Sequence, residues 1–191
     1  MVFNFLILGL TGNTGIAAYG VVANVALVAT AVFNGISQGS QPLLSDYYGK
    51  NDDKSVQKIL RLSIITGIAA AVLIILVTNL IPDVIVAVFN NENNAEMASY
   101  AVFGVQLYFT GFLFAGFNII GTGFLSATES AAWAFITSVL RGFVAISLCA
   151  LLLSALFGMT GVWLAFPVAE FITAVLMVIA IAQNVRKMRT K

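Results

Sequence analysis

IAAYGVVANVALVATAVFNGISQGSQPLL, residues 16–44, is a stretch without a single charged residue, and it decides the fold class of this chain. An α-helix needs only about 20 mostly apolar residues to cross a bilayer, so this stretch is long enough to span one. The whole chain has the same character, because 60% of its 191 residues are hydrophobic and 9% are charged. Ordinary soluble domains carry about 25% charged residues. Composition therefore predicts an integral membrane protein.

Four further apolar stretches have the length of spanning helices, and polar or glycine-containing connections separate them. Residues 1–10 are apolar but supply only half a span, so they predict the end of a truncated helix. The predicted fold is an all-α membrane protein, a polytopic helical bundle of five full transmembrane helices plus a partial one. It forms a single transmembrane lobe over residues 1–191. The predicted spans are residues 16–44, 58–80, 98–125, 131–156 and 162–182.

Basic residues predict which way the bundle crosses the membrane, because loops on the cytoplasmic side carry an excess of lysine and arginine. Four predicted crossings separate two basic clusters, so both clusters lie on one face of the membrane. The basic tail, residues 183–191, is therefore predicted to be cytoplasmic. Eight of the nine basic residues belong to these clusters: Lys50, Lys54, Lys58, Arg61, Arg186, Lys187, Arg189 and Lys191.

The residues that the chain lacks exclude several classes of function. It contains no histidine, and its one cysteine, Cys149, lies in an apolar run. These absences remove most zinc sites, Ser-His triads and Cys-His dyads, so we expect neither an enzyme nor a metal site. The net charge of +1 supplies no basic field for a nucleic acid. No phosphate-binding motif points to a nucleotide cofactor.

Two charged residues, Arg141 and Glu170, lie inside predicted spans, where an unpaired charge is costly. A rise of about 1.5 Å per residue places Arg141 roughly 15 Å and Glu170 roughly 18 Å from the cytoplasmic ends of their helices. Antiparallel neighbours would bring the two charges to a similar depth. The pair is either a structural ion pair that holds two helices together or a coupling site in which Glu170 binds a proton or a cation.

Polar side chains within the spans mark a candidate transport pathway. Asn24, Asn34 and Gln38 share a stripe on the first full span, because they follow helical spacing. The third span adds a polar face beside aromatic residues that could stack on a flat cation. The stripe either lines a wet cavity or bonds helices together, and the aromatic residues either bind substrate or pack. The candidates in the third span are Gln106, Thr110, Phe114 and Asn118.

Three segments resemble the multidrug and toxic compound extrusion (MATE) family of transporters. Residues 35–50, GISQGSQPLLSDYYGK, resemble the family's span-end signature, a glycine-rich helix end, a Gln-Pro step and a Tyr-Gly pair. Residues 17–20, AAYG, and 161–170, GVWLAFPVAE, also fit, and Arg141 falls where many members carry arginine. The family has twelve helices in two lobes. The resemblance implies the C-terminal lobe, with helices eight to twelve and the end of helix seven.

The resemblance implies a cation-coupled antiporter, in which a Na+ or H+ gradient drives export of small organic, often cationic, compounds. It implies no cofactor beyond the coupling ion, and it implies a multi-pass protein of the plasma (bacterial inner) membrane. The expected partners are membrane lipid and either the missing N-terminal lobe or a second copy, which would rock against this lobe. Two alternatives remain open: a lipid-linked saccharide flippase of the same superfamily, and a truncated membrane fragment that does not transport.

Overall fold

The computed structural model describes residues 2–91 and 93–188. The predicted basic positions Arg189 and Lys191 therefore lie outside the described residues. Within them the chain is helical almost throughout, and a π-helical segment, Leu140–Ala145, joins two of the α-helices. The α-helices are α1 (Val2–Gly49), α2 (Asp53–Leu80), α3 (Pro82–Ala87), α4 (Ala95–Phe109), α5 (Phe112–Ala127), α6 (Ala131–Val139) and α7 (Ile146–Met188).

Two glycines break the longest helices. Gly12 has a φ of 63° within α1, and Gly158 has a φ of 57° within α7. Both angles lie in the left-handed region, which glycine adopts without the steric cost that a Cβ would impose. Gly12 separates the short segment that the sequence predicts at residues 1–10 from the predicted span 16–44. Gly158 separates the predicted spans 131–156 and 162–182.

The polar connection between α1 and α2 is stabilised by local side-chain contacts. Asp52 caps α2, because its carboxylate accepts a hydrogen bond from the Ser55 backbone N–H (3.1 Å) and from the Ser55 hydroxyl (2.6 Å). The Ser55 hydroxyl and N–H hold the pKa of Asp52 below its ordinary value. The Lys50 ammonium donates to Asp46 at 2.6 Å, and this contact raises the pKa of Lys50.

The third predicted span, residues 98–125, is not one continuous helix. It consists of α4 and α5, which are bent by 49° relative to each other around Thr110 and Gly111. Gly111 packs so closely on α7 that a Cβ there would lie 2.7 Å from the Phe166 ring and 2.9 Å from the Pro167 Cα. The missing side chain lets the two helices approach at the bend. Hydropathy along the chain carries no sign of this break, because both halves are apolar.

The distribution of apolar side chains fits a bundle in lipid. Among the residues that the structure describes, three helical stretches are long and apolar enough to cross a membrane, or four if α4 and α5 count as one bent span. The longest of these stretches, Ala131–Met188, is broken at Gly158, whose φ is positive, and it contains the predicted spans 131–156 and 162–182. Large apolar side chains face outward, as at Leu73 and Leu80 of α2. Membrane helices tolerate this exposure because contact between an apolar side chain and lipid tails carries no free-energy penalty, whereas contact with water does.

The interior of the bundle is packed with aromatic and small residues. Helix α1 packs against α2, α4 and α5, and α7 packs against α4 and α5. Phe33 of α1 and Phe112 of α5 are buried and stack with ring centroids 6.0 Å apart. Trp163 of α7 is also fully buried and lies against Gly104 of α4. This core holds α5 and the second half of α7 side by side, which places the polar residues described next.

Candidate functional site

An ion pair with a buried carboxylate joins the π-helical segment to α7. The Arg141 Nε donates to the Glu170 Oε1 at a distance of 2.7 Å. The side chain of Glu170 is 4% exposed, and that of Arg141 is 28% exposed. The structure thus brings together the two intramembrane charges that the sequence places at similar depth. The carboxylate is enclosed by protein, whereas the guanidinium can still be reached from outside.

Asn118 of α5 completes this contact from a third helix. Its Nδ2 donates to the Glu170 Oε2 at 2.7 Å and to the Glu170 backbone oxygen at 2.9 Å. Asn118 is fully buried, and its Oδ1 has no hydrogen-bond partner among the described residues. Buried amide oxygens are normally paired. We call Arg141, Glu170 and Asn118 the charge network, and the unpartnered Asn118 Oδ1 can accept a hydrogen bond or contact a cation.

Local departures from the regular α-helix position two members of the charge network. Arg141 lies on the π-helical segment Leu140–Ala145, where an extra residue per turn displaces side chains from regular α-helical positions. Glu170 follows Pro167, which has no N–H and leaves a carbonyl of the preceding turn without its helical partner. Such irregular turns occur often at functional sites because they turn side chains into positions that a straight helix does not offer.

One side of the charge network opens into a polar cavity of about 250 Å³. We call it the amide cavity, because α1 lines it with Asn34, Gln38 and Gln41. Arg141 reaches it from the opposite wall. The amides therefore face a space that can hold water or solute. The remaining lining residues are Ser37, Ile119, Thr122, Gly123, Ser126, Ser138 and Gly142.

The other side opens into a cavity of about 280 Å³, which we call the aromatic cavity. Tyr108 and Phe166 stack in its wall with ring centroids 4.2 Å apart and nearly parallel planes. Arg141 and Glu170 also line it. Because Arg141 lines both cavities, its side chain stands between them. The other lining residues are Phe3, Tyr19, Gly142 and Ile146.

Four of the predicted pathway residues belong neither to the charge network nor to the lining of either cavity. The Asn24 amide donates to the Gly20 carbonyl on its own helix at 2.8 Å. It lies ten residues, or about 15 Å, from Asn34 along α1, so a shared stripe does not bring the two into one cavity. The others are Gln106, which is half-buried, Thr110, whose hydroxyl donates to the Leu107 carbonyl, and Phe114, whose ring contacts Phe171 edge-on at 5.2 Å.

Tyr19, Tyr108 and Phe166 line the aromatic cavity, although none of them is among the predicted site residues. The sequence carries one signal for Phe166, since it precedes Glu170 by four residues and so shares its helix face. Tyr19 belongs to the AAYG segment that resembles the family, but its place in the sequence does not indicate that it reaches this cavity from α1. Within residues 2–91 and 93–188, no group of three or more His, Cys, Asp or Glu side chains is placed to hold a metal ion.

Comparison with known proteins places the chain in one family. The MatE family model matches residues 1–151. The multidrug export protein MepA of Staphylococcus saprophyticus is 27% identical over 176 residues, covering 91% of this chain and 38% of that protein. The chain therefore spans about two-fifths of the length of that curated relative.

Solved structures agree with this assignment at the level of the fold. The outward-facing conformation of a multidrug resistance MATE family transporter of the MOP superfamily matches with a TM-score of 0.93 at 11% identity. That match covers 100% of this chain and 43% of the transporter. The inward-facing conformation of such a transporter matches equally well, with a TM-score of 0.93 at 11% identity, over 100% of this chain and 44% of the other. Because the family model matches most of the residues and the bundle has the same fold, this multi-pass membrane protein belongs to the MatE family, the multidrug and toxic compound extrusion transporters, whose members are not enzymes.

Proposed function

We propose that this chain forms the C-terminal lobe of a cation-coupled antiporter that exports small organic compounds. The observation that carries the proposal is the charge network, a buried carboxylate beside the aromatic cavity, held by one amide and by an arginine that lines both cavities. Buried charges within membrane spans are costly and usually serve a transport pathway. In this proposal the coupling ion is Na+ or H+, and no other cofactor takes part.

The charge network offers a physical route to coupling. In the conformation described here, Arg141 neutralises Glu170. A proton or Na+ that reaches the carboxylate takes over this neutralisation, and the Asn118 Oδ1 supplies a further oxygen ligand for Na+ or a hydrogen-bond acceptor for the protonated carboxyl group. Arg141 is then free to turn toward either cavity, since its side chain is partly exposed. When a proton or Na+ replaces Arg141 as the partner of Glu170, the Arg141 side chain moves, and the wall between the two cavities changes.

The aromatic cavity supports the proposed class of substrate. The stacked rings of Tyr108 and Phe166 present flat π-surfaces beside the carboxylate of Glu170. Aromatic faces attract organic cations within about 6 Å of the ring centroid. A cavity of about 280 Å³ holds only part of a drug-sized molecule, so a second lobe would have to enclose the remainder.

A second lobe, supplied by an N-terminal lobe or by a second copy, is part of the proposal. Asn34 and Gln38 are exposed although they line the amide cavity, which leaves an open polar wall for such a lobe to cover. The good fit of this lobe to both outward- and inward-facing transporters supports motion of the lobe as one body. We further propose that the protein resides in the plasma membrane with its basic end in the cytoplasm.

An efflux assay tests the proposal directly. Cells that express the full reading frame are loaded with an ethidium-type cation, and export is followed while the Na+ or the proton gradient is removed in turn. Export should stop when the coupling gradient is lost. Glu170→Gln should abolish export at normal protein yield, because glutamine keeps the shape of the side chain and loses the charge.

Glu96→Gln is the matched control, since Glu96 is an exposed carboxylate in the first turn of α4. It should export at the wild-type rate. Normal export and normal yield of Glu170→Gln would refute the coupling role. Reduced yield with normal export per molecule would show that the carboxylate is structural only. Failure of the full reading frame to export any compound under either gradient would leave the chain as a membrane fragment without transport activity.

A further inference from the structure

A groove with two basic residues lies at the basic end of the bundle, between the first turns of α2 and the last turns of α7. Its volume is about 540 Å³. We propose that this groove, named here the basic groove, binds an anionic phospholipid, with the phosphate on Lys58 and Arg61 and an acyl chain along α2. The residues that line the basic groove are Gln57, Lys58, Leu60, Arg61, Ile64, Ile65 and Val185.

Lys58 and Arg61 offer unneutralised positive charge. They lie three residues apart, so they project from neighbouring positions on one helix face. Both are exposed, and neither is in the ion pairs formed among the described residues, which are Lys50–Asp46 and Arg141–Glu170. Gln57 adds an amide donor to the same wall. A phosphate therefore finds two cations and a neutral donor within one groove.

The helix face that continues from these charges is apolar and unpartnered. Ile65, Ile68 and Val72 follow Arg61 at helical spacing, and 52%, 44% and 45% of their surfaces are exposed. The path from Arg61 to Val72 covers eleven residues, or about 16 Å. Half of a hydrocarbon core of roughly 30 Å is about 15 Å, so this face matches the depth of one leaflet.

The walls of the basic groove favour a lipid over a free anion. Leu60, Ile64, Ile65 and Val185 place apolar surface directly beside the two charges. A free phosphate would leave that surface uncovered, whereas a phospholipid covers it with the start of its acyl chain while the phosphate pairs with the cations. Basic pockets between membrane helices recognise anionic headgroups in this way. The groove thus combines both chemical features of an anionic phospholipid.

Native mass spectrometry of the protein purified from its full reading frame tests the proposal. Phosphatidylglycerol and phosphatidylcholine with identical acyl chains are titrated, and bound lipid is counted. The wild-type protein should prefer phosphatidylglycerol. The double variant Lys58→Gln/Arg61→Gln should weaken its binding roughly 25-fold, because each basic residue near an anionic surface contributes about a five-fold gain in affinity.

Lys50→Gln/Lys54→Gln is the matched control, because it removes the same charge from the same end of the bundle but neither residue lines the groove. Its affinity should change less than two-fold. Ile65→Trp, which fills the groove without changing charge, should weaken phosphatidylglycerol binding and provides the test if the double variant does not fold. Soluble glycerol phosphate should not displace the lipid.

The proposal would be overturned by equal binding of the two lipids, by an equal loss of affinity in the control variant, or by displacement with glycerol phosphate that is as efficient as with lipid. An unchanged affinity of Ile65→Trp would also contradict it. The readout is independent of transport, so a failure here leaves the proposed antiport untouched.

Discussion

Replacement of Arg141 by methionine should destabilise the bundle by about 3 kcal/mol, because it leaves the Glu170 carboxylate buried without a counter-charge. The Nε–Oε1 distance is 2.7 Å. With charge centres about 4 Å apart and an effective dielectric constant near 20, the attraction is about 4 kcal/mol. Loss of one partner of a buried pair typically costs about 3–5 kcal/mol, and the partial exposure of Arg141 favours the lower end of this range.

The double variant Arg141→Met/Glu170→Gln should recover most of this loss. Glutamine carries no charge, and its side-chain oxygen can still accept the hydrogen bond from the Asn118 Nδ2 that the Glu170 Oε2 accepts in the wild type. A buried ion pair that is replaced as a whole by neutral groups is often close to neutral in stability. We expect the double variant to lie within about 1 kcal/mol of the wild type.

Thermal unfolding in detergent measures these differences and is followed by the fluorescence of the two tryptophans, of which Trp163 is buried. For a chain of about 150–250 residues, each 1 kcal/mol shifts the melting temperature by about 2–4 °C. Arg141→Met should therefore melt about 6–12 °C below the wild type. The reasoning is wrong if the double variant melts no higher than Arg141→Met, since the loss would then come from packing and not from an uncompensated charge.

Three further substitutions test the fold itself. Gly104→Ala should cost about 1–3 kcal/mol and change the Trp163 emission, because the new Cβ would lie 2.7 Å from the indole ring. Gly12→Ala should cost about 1–3 kcal/mol through its backbone conformation alone (φ 63°, ψ −152°), because nothing lies within 4 Å of the added Cβ. Gly9→Ala, also in open space but without a positive φ, should not lower the melting temperature. The pKa of Asp52 is lowered in the folded protein, so its carboxylate stabilises the fold above the ordinary pKa of about 3.9. This contribution is lost as the pH falls through the folded pKa. Asp52→Asn should therefore remove this part of the acid dependence from melting curves recorded between pH 5 and pH 2.

Local sequence was sufficient for the properties that depend on position along the chain. Membrane character follows from apolar runs such as residues 16–44. The similar depth of Arg141 and Glu170 in the membrane follows from the regular rise of a helix. The direction in which each charge points is a different matter. It depends on the π-helical segment at Leu140–Ala145 and on Pro167, and no residue count predicts how far these rotate a side chain.

Only the tertiary structure decided which side chains share a site. Asn118 meets Glu170 across 52 residues of sequence, and Tyr108 stacks on Phe166, because α5 and α7 pack side by side at Gly111. The third predicted span bends at the same point, between α4 and α5. Sequence alone determined a membrane bundle with two charges at matching depth, since hydropathy and helical rise are local. Tertiary structure decided the charge network and its two cavities, since these depend on how helices distant in sequence face one another.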